Sequence, residues 1–123
     1  MNYLSLNNIS SYEKSFKLSN IIWDIVINWS WFEKRTIGSQ WVRATDSVSA
    51  NIAEGFGRYG KKDKIHFYRY SQGSLQESYD WFEKARIRKL LSAEQISTIK
   101  LLYNELPKDI NSLINFTNEK LKY

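Results

Sequence analysis

Residues 47–78 have the sequence SVSANIAEGFGRYGKKDKIHFYRYSQGSLQES, and this stretch decides the fold. A helix is predicted at the start of this stretch and just before it. Four residues there are spaced by four, three and four positions, which places them on one helical face: Trp41, Thr45, Val48 and Ile52. Gly55 and Gly57 follow, and glycine can end a helix in a left-handed conformation without a side-chain clash. The pattern predicts a helix that ends near Glu54 and a basic, glycine-rich turn after it.

A second helix is predicted after the turn, because helical spacing resumes beyond Lys62 with Ile65, Tyr68, Leu75, Tyr79 and Phe82. Gly73 lies inside this helix, where glycine costs about 1 kcal/mol relative to alanine. We therefore expect another backbone to approach Gly73 closely. The minimum interpretation of the whole stretch is a helical hairpin with a solvated basic turn.

Two motifs in this stretch resemble a known family. The first is SVSANIAEGFGR at 47–58, followed by KK at 61–62, and the second is GSLQE at 73–77. The motifs and the spacing between them resemble the bacterial four-helix-bundle family, also called the large-subunit ribosomal RNA intervening-sequence proteins. The hydrophobic pattern fits this family from about residue 12 to residue 116. The positions that carry the resemblance are Ser47, Asn51, Ile52, Ala53, Glu54, Gly55, Gly57, Gly73, Ser74 and Glu77.

The resemblance implies an all-α fold, an antiparallel up-down-up-down four-helix bundle that assembles as a homopentamer. The family is similar to accessory proteins of diversity-generating retroelements, which bind nucleic acid, but no specific biochemical activity is established for it. The resemblance thus implies self-assembly and RNA or DNA as a partner. It gives the motif residues structural roles and assigns no catalytic residue.

The rest of the chain fits a single domain over residues 1–123. Four helices are predicted at 11–33, 39–54, 63–89 and 92–120, with a polar link at 33–39 and a polar leader at 1–10. Ser10 or Ser11 is the candidate cap of the first helix. The sequence SAEQ at 92–95 has the form of a capping box. Four helices joined by short links are typical of a bundle.

Composition narrows the expected partners and compartment. The formal net charge of +5 at pH 7 favours an anionic partner such as RNA or DNA. The sequence contains no cysteine, which excludes disulfides and thiolate metal sites and fits a reducing cytoplasm. The apolar run at 21–32 is interrupted by Asp24 and Asn28 and is too short to span a membrane. We therefore expect a cytoplasmic protein without membrane contact.

No constellation of catalytic residues is recognisable, so we predict a protein that is not an enzyme and has no cofactor or metal. His66 is the one histidine, and we interpret it as a surface or packing residue. The glycines at 55–57 lack the lysine and hydroxyl of a phosphate-binding loop. Glu54 and Glu77 lie at different distances from the turn and do not form an acid–base pair. Each is expected to accept hydrogen bonds or an ion pair, from Arg58 or from another subunit.

The candidate nucleic-acid-binding residues lie in the turn and just after it: Arg58, Lys61, Lys62, Lys64 and Arg69. Aromatic residues are interleaved with them: Phe56, Tyr59, Tyr68 and Tyr70. Lysine and arginine contact phosphates, and exposed aromatic rings stack on unpaired bases. A solvated turn beside a buried aromatic seam gives the same residues, so both interpretations are open. A second basic group is explained by the negative end of a helix dipole and is the next candidate: Lys84, Arg86, Arg88 and Lys89.

Trp23 and Trp31 are the candidate oligomer-interface residues. The first predicted helix is apolar on more than one face, and such a helix usually buries the extra face. The alternative is a wide core-facing stripe with a few exposed aromatic residues. The function that we predict is a non-enzymatic homo-oligomeric bundle that binds nucleic acid or a ribonucleoprotein. The alternative is an assembly scaffold that binds another protein and no nucleic acid.

Overall fold

The chain forms an all-helical structure with four long helices. The computed structural model describes residues 5–123, a range in which it contains no strand. In chain order, the helices are α1 (Ser10–Val26), α2 (Trp31–Glu33), α3 (Ser39–Phe56), α4 (Lys61–Ile87) and α5 (Ala93–Lys120). A 3-10 turn (Leu6–Asn8) precedes α1, and a π-helical turn (Lys34–Gly38) joins α2 to α3. The predicted all-α class is confirmed.

The first predicted helix, at 11–33, is wrong at its carboxyl end. α1 ends at Val26, and the Trp29 N–H donates to the Val26 carbonyl over 3.0 Å in the turn that follows. The turn forms because Trp29 packs inward on Trp41, with ring centroids 5.9 Å apart. The predicted link at 33–39 is also wrong, because the chain is helical again from Trp31. Gly38 allows α1 to pack here, since a Cβ at this position would lie 2.7 Å from Val26 Cγ1.

The start of α1 differs from the prediction as well. The cap residue is Ile9, which is buried, rather than Ser10 or Ser11. Ser10 Oγ donates instead to Asp109 Oδ2 on α5 over 3.1 Å. Leu6 packs against the core, so the prediction of a polar leader is wrong for residues 5–10. Residues 1–4 of the predicted leader lie outside the described range.

The turn between α3 and α4 is shorter than predicted, because α3 extends to Phe56 and α4 begins at Lys61. At its other end α4 stops at Ile87, where the prediction has residue 89. Lys89 takes the left-handed conformation there, with φ 62°, and the Leu90 N–H donates to the Ala85 carbonyl over 3.0 Å. This arrangement closes the helix in the way that glycine usually does.

The left-handed conformation predicted for Gly55 and Gly57 is wrong, since no glycine among residues 5–123 has a positive φ. Gly55 instead allows α3 and α4 to lie close together. A Cβ at Gly55 would lie 2.7 Å from Tyr68 Cε1 and 2.9 Å from the Lys64 carbonyl oxygen. The close contact predicted at Gly73 is also wrong for the chain by itself, because a Cβ there would meet no described atom within 4 Å.

Large and small side chains alternate on the buried face of α4. The large ones recur every seven residues and are Tyr68, Leu75 and Phe82. The small ones have the same period, are 0% exposed and are Ser71, Ser78 and Ala85. A seven-residue period keeps one seam of a helix against its neighbour. The small residues allow α3 to lie close to α4.

A buried hydrogen-bond network joins α3, α4 and α5 at the centre of this seam. The Tyr103 hydroxyl accepts a hydrogen bond from Trp41 Nε1 over 3.0 Å and lies 2.6 Å from Ser78 Oγ. Ser78 Oγ also lies 2.6 Å from Thr45 Oγ1. Burial raises the pKa of Tyr103 to about 12, so its hydroxyl stays protonated. The network satisfies polar groups that would otherwise destabilise the core.

The beginning of α5 is confirmed as a capping box. Ser92 Oγ accepts from the Gln95 N–H over 3.1 Å, and Gln95 Oε1 accepts from the Ser92 N–H over 2.9 Å. α5 then continues through Pro107, which has no N–H to donate to the Tyr103 carbonyl. None of the helices within residues 5–123 has the length and apolarity needed to cross a bilayer.

Candidate nucleic-acid and assembly surfaces

Arg58 is surrounded by groups of its own turn. Its Nη2 lies 3.5 Å from Glu54 Oε1, and its Nη1 lies 3.6 Å from Asp63 Oδ2. The guanidinium also lies over the Phe67 ring, 4.6 Å from the centroid. Its side chain is partly exposed, and exposed ion pairs of this kind contribute about 0–1 kcal/mol. Arg58 therefore faces solvent with its charge already partly compensated.

Lys64 caps the end of α3. Its Nζ donates to the Phe56 carbonyl over 2.6 Å and approaches the Gly55 carbonyl at 3.5 Å. These carbonyls lie at the negative end of the helix dipole, where a cation is stabilising. Burial lowers the pKa of Lys64 from its usual 10.5. This position argues against Lys64 as a phosphate ligand.

Lys61 connects the turn to the end of α5. Its Nζ donates to the Asn118 carbonyl over 3.1 Å, and its backbone N–H donates to the Tyr123 carbonyl. One face of the ammonium group is therefore occupied. Of the five candidate cations, Arg58, Lys61 and Lys64 all have partners within the chain.

The two remaining candidates, Lys62 and Arg69, lie on the outer face of α4. Both are exposed, and neither has an ion-pair partner in the described part of the chain. Residues separated by three, four or seven positions share one helical face, so Lys62, His66 and Arg69 form an outer line. His66 is exposed as the sequence predicts, and its Nε2 lies 2.6 Å from the Tyr70 hydroxyl.

The interleaved aromatic residues divide between core and surface. Tyr68 is 2% exposed, and burial raises its pKa to about 12. Phe56 also packs against the core. Tyr59 is 95% exposed and Tyr70 is half exposed. Tyr59 and Tyr70 are therefore the aromatic residues of this group that can stack on a base.

The family-motif residues of α3 and α4 have two kinds of environment. Ile52 and Gly55 are buried and Ala53 is half buried, which explains their size by packing. Gly57 and Gly73 are exposed, and neither is explained by a close contact within the chain, because a Cβ at Gly57 would make only ordinary contacts at 3.6 Å.

The polar motif residues of α3 and α4 make several local hydrogen bonds and ion pairs. Asn51 Nδ2 donates to the Ser47 carbonyl over 2.9 Å and reaches Ser74 Oγ at 3.5 Å. Glu54 pairs with Arg58 as described, and Glu77 Oε2 accepts from Trp81 Nε1 over 3.4 Å. Both carboxylates are exposed and belong to separate local contacts. The arrangement gives them hydrogen-bonding roles.

Two of the four cations near the end of α4, the second basic group, form ion pairs. Lys84 Nζ lies 2.6 Å from Asp80 Oδ2, and Arg86 Nη2 lies 2.7 Å from Glu83 Oε2. Arg88 and Lys89 are exposed beyond the end of α4. This group is a weaker candidate for phosphate contacts than Lys62 and Arg69, which lie together on one helix face.

The two candidate interface residues expose large apolar side chains. Trp23 is 53% exposed and Trp31 is 70% exposed, and Phe32, which follows Trp31 in the chain, is 64% exposed. A groove of about 540 Å³ lies between α1 and α3, with Trp23 and Ile27 on one wall. Large exposed apolar side chains that cluster on a protein usually mark an interaction site. We call the exposed side chains of Trp23, Trp31 and Phe32 the tryptophan surface.

A neutral cleft between α4 and α5 is a feature that the sequence patterns do not predict. Its residues include Gln72, Gln76, Asn104 and Asn111. The helical spacing of these residues is visible in the sequence, but the pairing of the two helices is not.

No candidate metal site occurs among residues 5–123, because no three or more His, Cys, Asp or Glu side chains are grouped so that they could hold a metal ion there.

Together, the fold and these surfaces define a small all-helical protein with exposed tryptophan side chains and a basic outer line on α4. The chain belongs to the 23S rRNA-intervening sequence protein family, whose model matches residues 7–112. The resemblance carried by the motifs at 47–58 and 73–77 is therefore confirmed.

Comparison with solved structures gives a similar fold in a protein of unknown function from the S23 ribosomal protein family of Bacteroides thetaiotaomicron. The TM-score is 0.74 at 21% identity, and the match covers 85% of this chain and 97% of the other. At this identity the likeness shows the fold alone. No curated protein matches the chain.

Proposed function

We propose that the chain is a non-enzymatic cytoplasmic protein that assembles as a homopentamer and binds nucleic acid or a ribonucleoprotein. The nucleic-acid part rests on one observation, the exposed line of Lys62, His66 and Arg69 on α4. Cations on one helix face can follow a phosphate backbone, and the exposed ring of Tyr59 near the start of this helix can stack on a base. Repetition around a ring would add avidity to a line that is short in one copy.

The bundle that we propose is antiparallel, with up-down-up-down helices. Contacts between α3 and α4 support this order, because residues farther from the turn on one helix meet residues farther from it on the other. The pairs are Gly55 with Lys64, Val48 with Ser71, Thr45 with Ser78 and Trp41 with Phe82. α4 and α5 pair in the same way, through Ser78 with Tyr103 and Gln72 with Asn111.

The tryptophan surface supports self-assembly, and the family resemblance supports five copies. The test is the double variant Trp23→Gln, Trp31→Gln, followed by sedimentation. Both side chains are exposed in a single chain, so circular dichroism should stay helical while the sedimenting mass falls. The matched control is Leu101→Gln, Phe116→Gln, which removes two exposed apolar side chains from α5 and should leave the mass unchanged.

A parent protein that sediments as a monomer at micromolar concentration would contradict the assembly proposal. If the α5 control dissociates and the tryptophan variant does not, the interface lies on α5 instead.

Nucleic-acid binding is tested by titrating the parent protein with single-stranded RNA and DNA at several salt concentrations. The logarithm of the affinity should fall linearly with the logarithm of the salt concentration. The variant Lys62→Gln, Arg69→Gln should bind more weakly at low salt and should have a smaller salt slope, because two phosphate contacts per chain are removed. The control Lys17→Gln, Lys100→Gln changes the net charge equally and should retain most of the affinity and slope.

The second candidate function is a scaffold that binds another protein and no nucleic acid. The groove of about 540 Å³ beside Trp23 favours it. The scaffold function becomes the preferred one if the parent protein binds neither RNA nor DNA at low salt while its oligomer is intact.

A further inference from the structure

The cleft between α4 and α5 has the chemistry of a site for a neutral, planar, hydrogen-bonding group. Its volume is about 380 Å³, which is within the range of small-ligand sites, about 300–1,000 Å³. Leu75 and Tyr103 form its apolar floor, and none of its lining residues is charged. A charged ligand would therefore find no counter-ion in the cleft itself.

Hydrogen-bonding groups line the cleft on both helices. At one end Gln72 Nε2 donates to Asn111 Oδ1 over 2.8 Å, which joins the two walls. Gln76 and Asn104 are exposed, and in the described structure neither side chain forms a hydrogen bond. The Tyr103 carbonyl receives no helical hydrogen bond from position 107, because Pro107 has no N–H. The cleft thus offers donors and acceptors without charge.

Flat surfaces complete the walls. The Tyr79 ring lies edge-on to Tyr103, with centroids 5.3 Å apart, and its hydroxyl donates to Glu83 Oε1 over 2.8 Å. Both contacts fix the orientation of the Tyr79 ring. The ring of Pro107 lies on the opposite helix. A planar group that enters the cleft can pack against Tyr79 while its edge reaches the carboxamides.

Cations lie on both sides of the cleft but outside it. Arg69 is three residues before Gln72 and seven before Gln76, so these three share one side of α4. Lys108 is four residues after Asn104 on α5. Arg69 and Lys108 are exposed, and neither forms an ion pair within residues 5–123. Gly73, next to Arg69 on the outer face, leaves open space where a backbone can approach.

We propose that this cleft binds an unpaired nucleobase of a single strand whose phosphates lie against Arg69 and Lys108. The proposal rests on the proposed nucleic-acid binding and specifies its ligand as single-stranded. Carboxamides bind base edges through paired donors and acceptors, and tyrosine rings stack on base faces. The outer line of Lys62, His66 and Arg69 leads along α4 towards the cleft, so one strand can occupy both.

The test compares two single-stranded DNA probes of equal length, one of thymidines and one of abasic residues that keep only the sugar-phosphate backbone. Stacking is worth about 1–3 kcal/mol per base, so the parent should bind the base-bearing probe at least about fivefold more tightly. The variant Gln76→Ala, Asn104→Ala should reduce this ratio towards one and leave the salt slope unchanged. The variant Arg69→Gln, Lys108→Gln should weaken binding of both probes and shrink the slope.

Two controls keep the result interpretable. Asn20→Ala, Gln40→Ala removes two exposed carboxamides from α1 and α3 and should keep the parent ratio. Asn104→Leu keeps the branched shape of the side chain but removes its hydrogen-bonding groups, and it should lower the ratio even if the alanine variant misfolds by circular dichroism.

The outcomes separate this proposal from the proposed function. If the parent binds both probes equally, the base site is wrong and nucleic-acid binding stands. A base preference that survives both cleft variants also overturns the site and points to Tyr59. If the parent binds neither probe nor RNA at low salt, both proposals are wrong.

Discussion

The two faces of α4 obey different constraints. On the inner face, Ser71 and Ser78 are completely buried, and Gly55 of α3 leaves no room for even a methyl group against α4. On the outer face, a Cβ added at Gly73 would meet no described atom of a neighbouring element within 4 Å. Packing within the chain therefore requires glycine at position 55, whereas no contact within the chain explains glycine at position 73. The comparison indicates that inner positions set the fold, while outer positions are available to whatever approaches the bundle.

The largest expected effect is on the inner face. Gly55→Ala should lower the free energy of unfolding by about 2–3 kcal/mol, the upper range for overpacking a core. The added Cβ would meet a backbone oxygen of α4 at 2.9 Å as well as the Tyr68 ring, and backbone cannot move aside as a side-chain end does. Chemical denaturation measures the change. A loss below about 0.5 kcal/mol would show that α3 and α4 separate easily and would remove the contrast with Gly73.

A smaller loss is expected from the buried network on the same face. Tyr103→Phe should destabilise the protein by about 1–2 kcal/mol, because Trp41 Nε1 and Ser78 Oγ lose a partner away from water. Thermal unfolding followed by circular dichroism checks this value. Tyr12→Phe serves as the control, since that tyrosine is only partly buried and its hydroxyl makes no hydrogen bond to described residues. Equal losses in the two variants would contradict a special role for the network.

Gly73→Ala should have the opposite sign. Alanine stabilises a helix interior by about 0.5–1 kcal/mol relative to glycine, and no atom of the chain opposes the new methyl group. Denaturation under conditions that keep the chain monomeric should therefore show a gain in stability. The same variant should weaken assembly or single-strand binding if a partner backbone lies against this position. A loss of monomer stability would mean that Gly73 is constrained from within, and the two faces would no longer differ.

The smallest effect is expected at the border of the faces and depends on pH. Hydrogen bonds from Tyr79 and Arg86 lower the pKa of Glu83 from its usual 4.5. A carboxyl whose folded-state pKa is lowered stabilises the protein above its unfolded pKa, and this contribution is lost as the pH falls through the lowered value. Glu83→Gln should therefore flatten the loss of stability below about pH 4.5. Identical acid-unfolding curves for variant and parent would show that the contacts of Glu83 are too solvated to matter.

Sequence patterns predict the helices of this chain where periodicity and local capping decide them. Ser92 and Gln95 form the predicted capping box, and the residues at 41, 45, 48 and 52 lie on the buried side of α3 as their spacing indicates. The break after Val26 is not visible in that way, because Trp29 continues the apolar spacing of α1 but packs on Trp41 from a turn. Tertiary packing overrides periodicity at this point.

The candidate site was predictable only as a set of residue types. The sequence shows one basic group without showing which of its members have partners: Arg58, Lys61, Lys62, Lys64 and Arg69. Lys64 donates to a carbonyl at the end of α3, Lys61 donates to a carbonyl near the end of α5, and two carboxylates lie beside Arg58. Such contacts depend on the exact length of the turn, and helix ends are the least certain part of a pattern.

The π-helical turn at Lys34–Gly38 has a consequence for insertions and deletions. A π turn holds one residue more than an α turn, so the extra residue is absorbed within the turn and the segments on either side keep nearly the register of a continuous α-helix. Deleting the exposed Thr36 and closing the turn to α geometry should therefore leave Trp31 and Phe32 close to their present direction, whereas one inserted residue that the turn does not absorb would rotate them by about 100° around the axis of α3. The turn should thus tolerate the loss of one residue better than the gain of one.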